Sequence, residues 1–252
     1  MTKTSTALPP FSLINPGGDP SVLLVCDHAS NAVPEEYDRL GLPVETFARH
    51  IAYDIGAALV TKALSRLLNA PAVLAGFSRL LIDPNRGDDD PTLVMKLSDG
   101  AIIPGNRNAG ATGIADRIAR FHKPYHEAIA GRISAARAQG VSPAILSLHS
   151  FTPVFQGFSR PWHIGILWDK DGRIAQPLLA SLRADSNLSV GDNLPYSGEL
   201  VGDCMYWHGT RNGLPHVLIE LRQDLIVDKS GAEHWAQLLA RHLRPILKEL
   251  ER

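Results

Sequence analysis

Two apolar runs of this 252-residue chain end in histidine. Val22-Leu23-Leu24-Val25-Cys26-Asp27 leads into His28, and Ala144-Ile145-Leu146-Ser147-Leu148 leads into His149. A third run, Arg79-Leu80-Leu81-Ile82, ends in Asp83-Pro84-Asn85-Arg86, and a fourth, Val217-Leu218-Ile219, ends in Glu220. Arg79 and Arg86 suit gripping a carboxylate and polarising a carbonyl, because a guanidinium pairs two oxygens at once and stays charged. Two histidines at strand ends call for a third ligand and a base, since a catalytic zinc takes roughly three protein ligands and leaves a position for water. A carboxylate in a buried strand is costly unless it pairs or acts on something. Glu220 is therefore read as a general base, with an ion pair to Arg222 or Arg79 as the alternative.

Such residues need a scaffold that brings distant segments together. Short apolar runs alternate with longer helical patterns, which predicts a single α/β domain over residues 1–252 with a mostly parallel sheet flanked by helices. Strands are expected at 21–27, 71–76, 79–83, 143–149, 162–168 and 215–222. Helices are expected at 54–69, 113–139, 173–185 and 231–250. In the first helix Ile55, Leu59, Ala63 and Leu67 form an apolar stripe; in the last, Trp235, Leu239, His242 and Ile246 do. Ligands of parallel sheets bind at the carboxyl ends of the strands, where His28, Arg86 and His149 should converge. Residues 87–111, rich in Asp, Gly and Pro, read as a flap over that crevice or as an insertion.

Composition narrows the class. Net charge is -1, so no basic footprint suggests nucleic acid. Two cysteines, Cys26 and Cys204, lie far apart, fit no metal-binding or redox spacing and suit a cytoplasmic setting. Met1 to Pro10 lacks the apolar core of a signal peptide, and no apolar run is long enough to span a membrane. Oligomeric state is not readable.

Val25-Cys26-Asp27-His28-Ala29-Ser30-Asn31-Ala32-Val33-Pro34 resembles the first signature of the N-formylglutamate amidohydrolase family. Ser78-Arg79 through Arg86, Ser147-Leu148-His149-Ser150 and Ile219-Glu220-Leu221-Arg222 match its later blocks in order. The blocks are also similar to those of zinc carboxypeptidases and aspartoacylases. The resemblance implies a zinc-dependent hydrolase of a C–N amide in a small acidic N-acyl amino acid. It implies His28 and His149 as metal ligands, Asn85 and Arg86 as the substrate-carboxylate site, Arg79 as the oxyanion partner and Glu220 as the base. One departure concerns the third ligand: Asn31 stands where the carboxypeptidase group has glutamate. Asp54, in His50-Ile51-Ala52-Tyr53-Asp54, resembles the Asp-bearing second block and is the chosen replacement. Its alternative is a helix N-cap, and Asp27, Glu35 and Glu36 are rivals.

A second cluster is Phe121-His122-Lys123-Pro124-Tyr125-His126. His122 and His126 are spaced to share a helix face and could bind metal, although Pro124 should disturb the helix. Tyr125 or His126 is expected to face the crevice as a substrate donor, joined by Tyr196 from a Gly-bearing loop and by Arg222. The competing function is a non-catalytic binder of a small carboxylate, which would gain nothing from Glu220 beside its arginines. A serine hydrolase is disfavoured because no Gly-x-Ser-x-Gly elbow occurs.

Overall fold

The computed structural model describes residues 8–250, so most of the stretch from Met1 to Pro10 lies outside it. The Val-, Ile- and Leu-rich runs form strands because both of their faces are covered. These are β1 (Phe11–Ile14), β2 (Val22–Cys26), β3 (Ala72–Ala75), β4 (Ala144–Phe151), β5 (Ile164–Leu167), β6 (Val190–Asp192) and β7 (His216–Arg222). They make one seven-stranded sheet in the order β1-β3-β2-β4-β7-β5-β6. The central β3, β2, β4 and β7 are parallel. β1 joins one edge antiparallel, while β5 runs against β7 and carries β6 parallel to itself. β1 and β6 are short edge strands that no apolar run announced.

The helices are α1 (Ala57–Leu68), α2 (Ala111–Arg117), α3 (Lys123–Arg137), α4 (Ala175–Arg183), α5 (Cys204–His208) and α6 (Lys229–Leu250). α1, α4 and α6 cover one face, where Leu24, Leu146, Val217 and Ile219 meet Val60, Leu178 and Leu239. The other face packs Leu23, Val25 and Ile145 against Phe77, Leu81, Tyr125 and Ile129. No helix among the described residues is long and apolar enough to cross a membrane.

Four local expectations change. The buried stripe of α1 is Ala57, Val60, Thr61, Leu64 and Ser65, and Leu59 is exposed. Thr61 and Ser65 can face inward because their hydroxyls donate to the carbonyls of Ala57 (2.8 Å) and Ala70 (2.6 Å). The expected helix 113–139 is two α segments joined by a π turn at Ile118–His122, with Pro124 in the first turn of α3, where a missing N–H costs little.

Residues 79–83 are a buried turn rather than a strand. Ser78 Oγ accepts the Leu80 N–H (3.2 Å), and the freed carbonyls are taken by side chains from later in the chain. Asn106 Nδ2 donates to Leu80 O (2.7 Å) and Arg117 Nη1 to Leu81 O (2.8 Å). The 87–111 segment therefore backs this turn rather than roofing the crevice. Leu93, Val94, Ile103 and Asn106 are buried within it, and the cavity wall is built without it.

Candidate active site

β7 shows how the sheet makes a site. Val217, Ile219 and Leu221 point into the helix-covered core, while His216, Leu218 and Glu220 line a cavity of about 710 Å³ on the other face. Strand alternation alone decides this division. Parallel register sets Glu220 beside His149 of β4. His28 follows β2, the next strand over. Asp54, Arg79, Asn85, Arg86 and Tyr196 share the cavity wall with them. The site thus occupies the sheet face as well as the carboxyl ends of the strands.

Asp54 does not cap α1. That role falls to Gly56, whose φ of +83° favours glycine and where a Cβ would lie 2.2 Å from the Ile226 carbonyl oxygen. The Asp54 carboxylate is free to turn inward. Its Oδ2 lies 2.9 Å from His149 Nδ1 and 3.3 Å from His28 Nδ1, and it accepts the Ser150 N–H at 3.2 Å. Candidate ligand atoms of His28, Asp54 and His149 all lie within 4.8 Å of one another.

The far side of each imidazole is held by a second carboxylate. His28 Nε2 donates to Asp83 Oδ1 (2.7 Å), and His149 Nε2 to Asp27 Oδ2 (2.9 Å). Arg79 Nη1 reaches His28 Nδ1 at 3.3 Å, and a guanidinium can only donate, so that nitrogen carries a lone pair. This is the arrangement in which outer carboxylates fix the ring and aim its lone pair at a metal. Asp54 Oδ1, fully buried, has no hydrogen-bond partner. Two imidazoles, a carboxylate and an orphaned oxygen fit a divalent ion of the zinc class.

Burial pushes both outer carboxylates toward the neutral form, yet their partners win. Arg79 and His28 hold Asp83 well below the usual range, and His149 holds Asp27 down. For His149 the burial cost is outweighed by the hydrogen bonds it donates to Asp27 and Asp54 and by their charge, which raise its pKa well above the ordinary value. Glu220 is the exception: burial, with Asp54 nearby, pushes it up to about 7, and its Oε2 has no partner. It does not pair with Arg222, which binds Asp224 (2.8 Å) at the periphery.

The turn at 79–86 delivers three further groups. Arg79 Nη2 binds Asp83 Oδ2 (2.8 Å). Asn85 Oδ1 accepts the Cys204 N–H at 3.0 Å, seating α5 on the turn. Arg86 Nη1 returns to the Asn85 carbonyl (2.7 Å) and its Nε meets Thr92 Oγ1 (3.2 Å), leaving the guanidinium one-quarter exposed at the wall. Across the cavity Tyr196 takes a hydrogen bond from Arg160 (3.1 Å).

Several expected residues stand elsewhere. Tyr125 is fully buried behind the site and donates to Asp27 Oδ1 (2.8 Å), and so supports His149 from the rear. His126 lines a separate cavity, and Arg222 is off the wall. Of the rival ligands, Glu36 pairs with Arg120 at the surface. Asn31, which stands where the carboxypeptidase group has glutamate, donates to the Phe47 carbonyl (2.6 Å). Asp83, Ser147 and the supporting role of Asp27 were missed. Asp83 and Asp27 each flank a residue already singled out, and a buried histidine needs a partner for its second nitrogen; that was the available signal.

Residues 20–227 match the family described as N-formylglutamate amidohydrolase. Among solved structures, a gene product of Agrobacterium tumefaciens is 33% identical, with 97% of each chain covered and a TM-score of 0.92. An N-formylglutamate amidohydrolase of Ralstonia eutropha shares the fold at 22% identity, 96% coverage of each chain and a TM-score of 0.62. A metallo-carboxypeptidase of Pseudomonas aeruginosa matches at 13% identity over 91% of this chain and 57% of its own, with a TM-score of 0.40. No curated protein matches. With the family match running from before β2 to beyond β7, the chain belongs to the N-formylglutamate amidohydrolases.

Proposed function

We propose that this protein hydrolyses the amide bond of a small acidic N-acyl amino acid of the N-formylglutamate kind, with zinc held by His28, Asp54 and His149. The observation that carries the reading is Glu220. It is a buried carboxylate with an unpartnered oxygen and a pKa near 7, in the same cavity as the three candidate ligands and two arginines. A protein that only bound a carboxylate would be weakened by it.

When bound, the ion supplies Lewis-acid polarisation of the scissile carbonyl and makes water more acidic. Glu220 takes a proton from the attacking water and returns one to the departing amine. The products are the free amino acid and, for the formyl substrate, formate. Arg79 lies 3.3 Å from His28 Nδ1 and 3.7 Å from Asp54 Oδ1, which suits it to the negative charge that develops on the carbonyl oxygen. Asn85 and Arg86 hold the substrate carboxylate, and Tyr196 faces it across the cavity. Asp83 and Asp27 keep the two imidazoles in one orientation and one tautomer. Both cysteines are free and buried, in keeping with a cytoplasmic setting.

The test is hydrolysis of N-formyl-L-glutamate and a panel of longer N-acyl analogues by zinc-loaded protein. Glu220→Gln should lower turnover by about 10²–10⁴ with little change in substrate binding. Near-native turnover in that variant would dismiss the assigned base. Failure of the whole panel, with acidic ligands still bound, would favour the binding protein.

A further inference from the structure

A second cluster of metal-binding side chains lies on the other side of the Asn85–Arg86 turn. α5 offers Cys204 and His208, four residues apart and so on one helix face, and His126 on α3 packs against them. Ligand atoms of His126, Cys204 and His208 lie within 4.8 Å of one another. None of the three belongs to the His28, Asp54, His149 group. We propose that His126, His208 and Cys204 form a second zinc site, one that contains sulfur.

The tautomers support it. His126 Nε2 lies 3.0 Å from the Pro84 carbonyl, which only accepts, so Nε2 carries the hydrogen and Nδ1 a lone pair. A backbone carbonyl on the second nitrogen is the usual support of a metal-bound histidine. That lone pair points at His208 Nε2, 2.8 Å away. Two nitrogens on one tetrahedral zinc stand about 3.4 Å apart, so the rings need to part by roughly half an ångström. Cys204 is fully buried beneath them and its thiol leans on Asp27.

A path to solvent exists. His126 and His208 form the floor of a cavity of about 420 Å³, with Asp88 and Glu127 at its rim. The ion would enter there, meet both imidazoles, and keep its fourth position toward the cavity. In the empty site His208 donates its Nε2–H to His126 Nδ1, so on binding that proton moves through solvent to Nδ1 and Nε2 is presented to the ion, while Cys204 loses its thiol proton to water and binds as thiolate. The nearby His122 has both nitrogens engaged, Nε2 with the Arg86 carbonyl (2.9 Å) and Nδ1 with Asp88 Oδ1 (3.3 Å), and is left out of the set. Occupancy would tie α3 to α5, whose first N–H holds Asn85.

Cobalt(II) distinguishes the two sites, because only a thiolate ligand gives a sulfur-to-cobalt charge-transfer band in the near ultraviolet. Full-length protein stripped with a chelator should take up a second equivalent of cobalt and develop that band. His149→Ala should keep the band, and so should Cys26→Ser. Cys204→Ser and His208→Gln should each lose it. Absence of the band from cobalt-saturated native protein would overturn the proposal, and that reading needs no variant to fold. Survival of the band in Cys204→Ser would overturn it equally.

Discussion

At the scale of single residues, the site gives each of two imidazoles, His28 and His149, a pair of carboxylates and leaves one oxygen of Glu220 without a hydrogen-bond partner. His28 lies between Asp54 and Asp83, and His149 between Asp54 and Asp27. Each outer carboxylate is itself anchored, Asp83 by Arg79 and Asp27 by Tyr125 and Ser147. For Glu220 burial outweighs the charges of His149, His28 and Arg79, and its Oε2 has no hydrogen-bond partner, which suits the proposed base. Arg86 differs again. It is part-exposed, and its guanidinium leans on its own turn, so it has room to engage a ligand. Arg86→Lys keeps the charge and loses the planar fork. The Michaelis constant for an acidic substrate should rise by roughly tenfold or more while turnover changes little, because bidentate pairing contributes to binding more than to the chemical step. Steady-state kinetics on the acid and on its amide-capped analogue check this: the native preference for the acid should shrink in the variant. An unchanged preference would move the carboxylate site away from Arg86.

At the scale of elements, strands were readable from sequence because a both-sides-buried run has few other ways to fold. Turns that look like strands were not. Leu80, Leu81 and Ile82 are fully buried, as in a strand, but their carbonyls are satisfied by Asn106 and Arg117, far along the chain. No local pattern encodes such long-range bonds. Asp54 was undecided between cap and ligand for a similar reason: the answer rests on Gly56 taking the cap position. Asn106→Ala tests the turn. It removes two donated hydrogen bonds, to Leu80 and Met95, and the acceptor of Arg117 (2.6 Å), all of them in the interior. A loss of about 2–4 kcal/mol of stability follows. The Michaelis constant should rise too, since Arg79, Asn85 and Arg86 ride on that turn; calorimetry and kinetics on one preparation check both effects. α5 carries a pH-dependent element. Asp203 caps it by accepting the Tyr206 N–H (2.7 Å), and burial raises its pKa to about 6. The unfolded chain releases that proton near pH 4, so the contribution of this group is full below pH 4 and falls as pH rises to about 6. D203N keeps the cap acceptor and does not titrate. Relative to the native chain it should gain about 2–3 kcal/mol between pH 4 and pH 7 in urea unfolding with chelator present. A pH-independent difference would show that Asp203 titrates normally.

At the scale of the whole molecule, one sheet divides the chain into a scaffold and a workplace. The α1, α4 and α6 face is almost wholly apolar, and the charged groups of the site lie on the opposite face. The sequence foretold that His28, His149 and Glu220 converge there, since all three close strand-like runs, but it also expected Tyr125, His126 and Arg222, which lie off the cavity wall. It did not foretell that the first three lie along the sheet face, because that depends on β5 running antiparallel to β7 and extending the cavity toward Leu167 and Leu218. The candidate ligands come from the end of β2, the loop before α1, and β4, and so join segments that meet only in the folded chain. Zinc should therefore bind the native state and not the unfolded one. At free zinc one hundred times the dissociation constant, one such site adds about 2.7 kcal/mol. For a chain of this length that is a rise in Tm of about 5–10 °C. Chelation should reverse the rise and abolish hydrolysis together. The double variant His149→Ala/Cys204→Ser lacks a ligand in each proposed site, and its melting temperature should not respond to zinc. Each single variant should keep part of the response, so scanning calorimetry against free zinc separates the two sites. A double variant that still gains the full increment would mean that zinc stabilises this fold through neither.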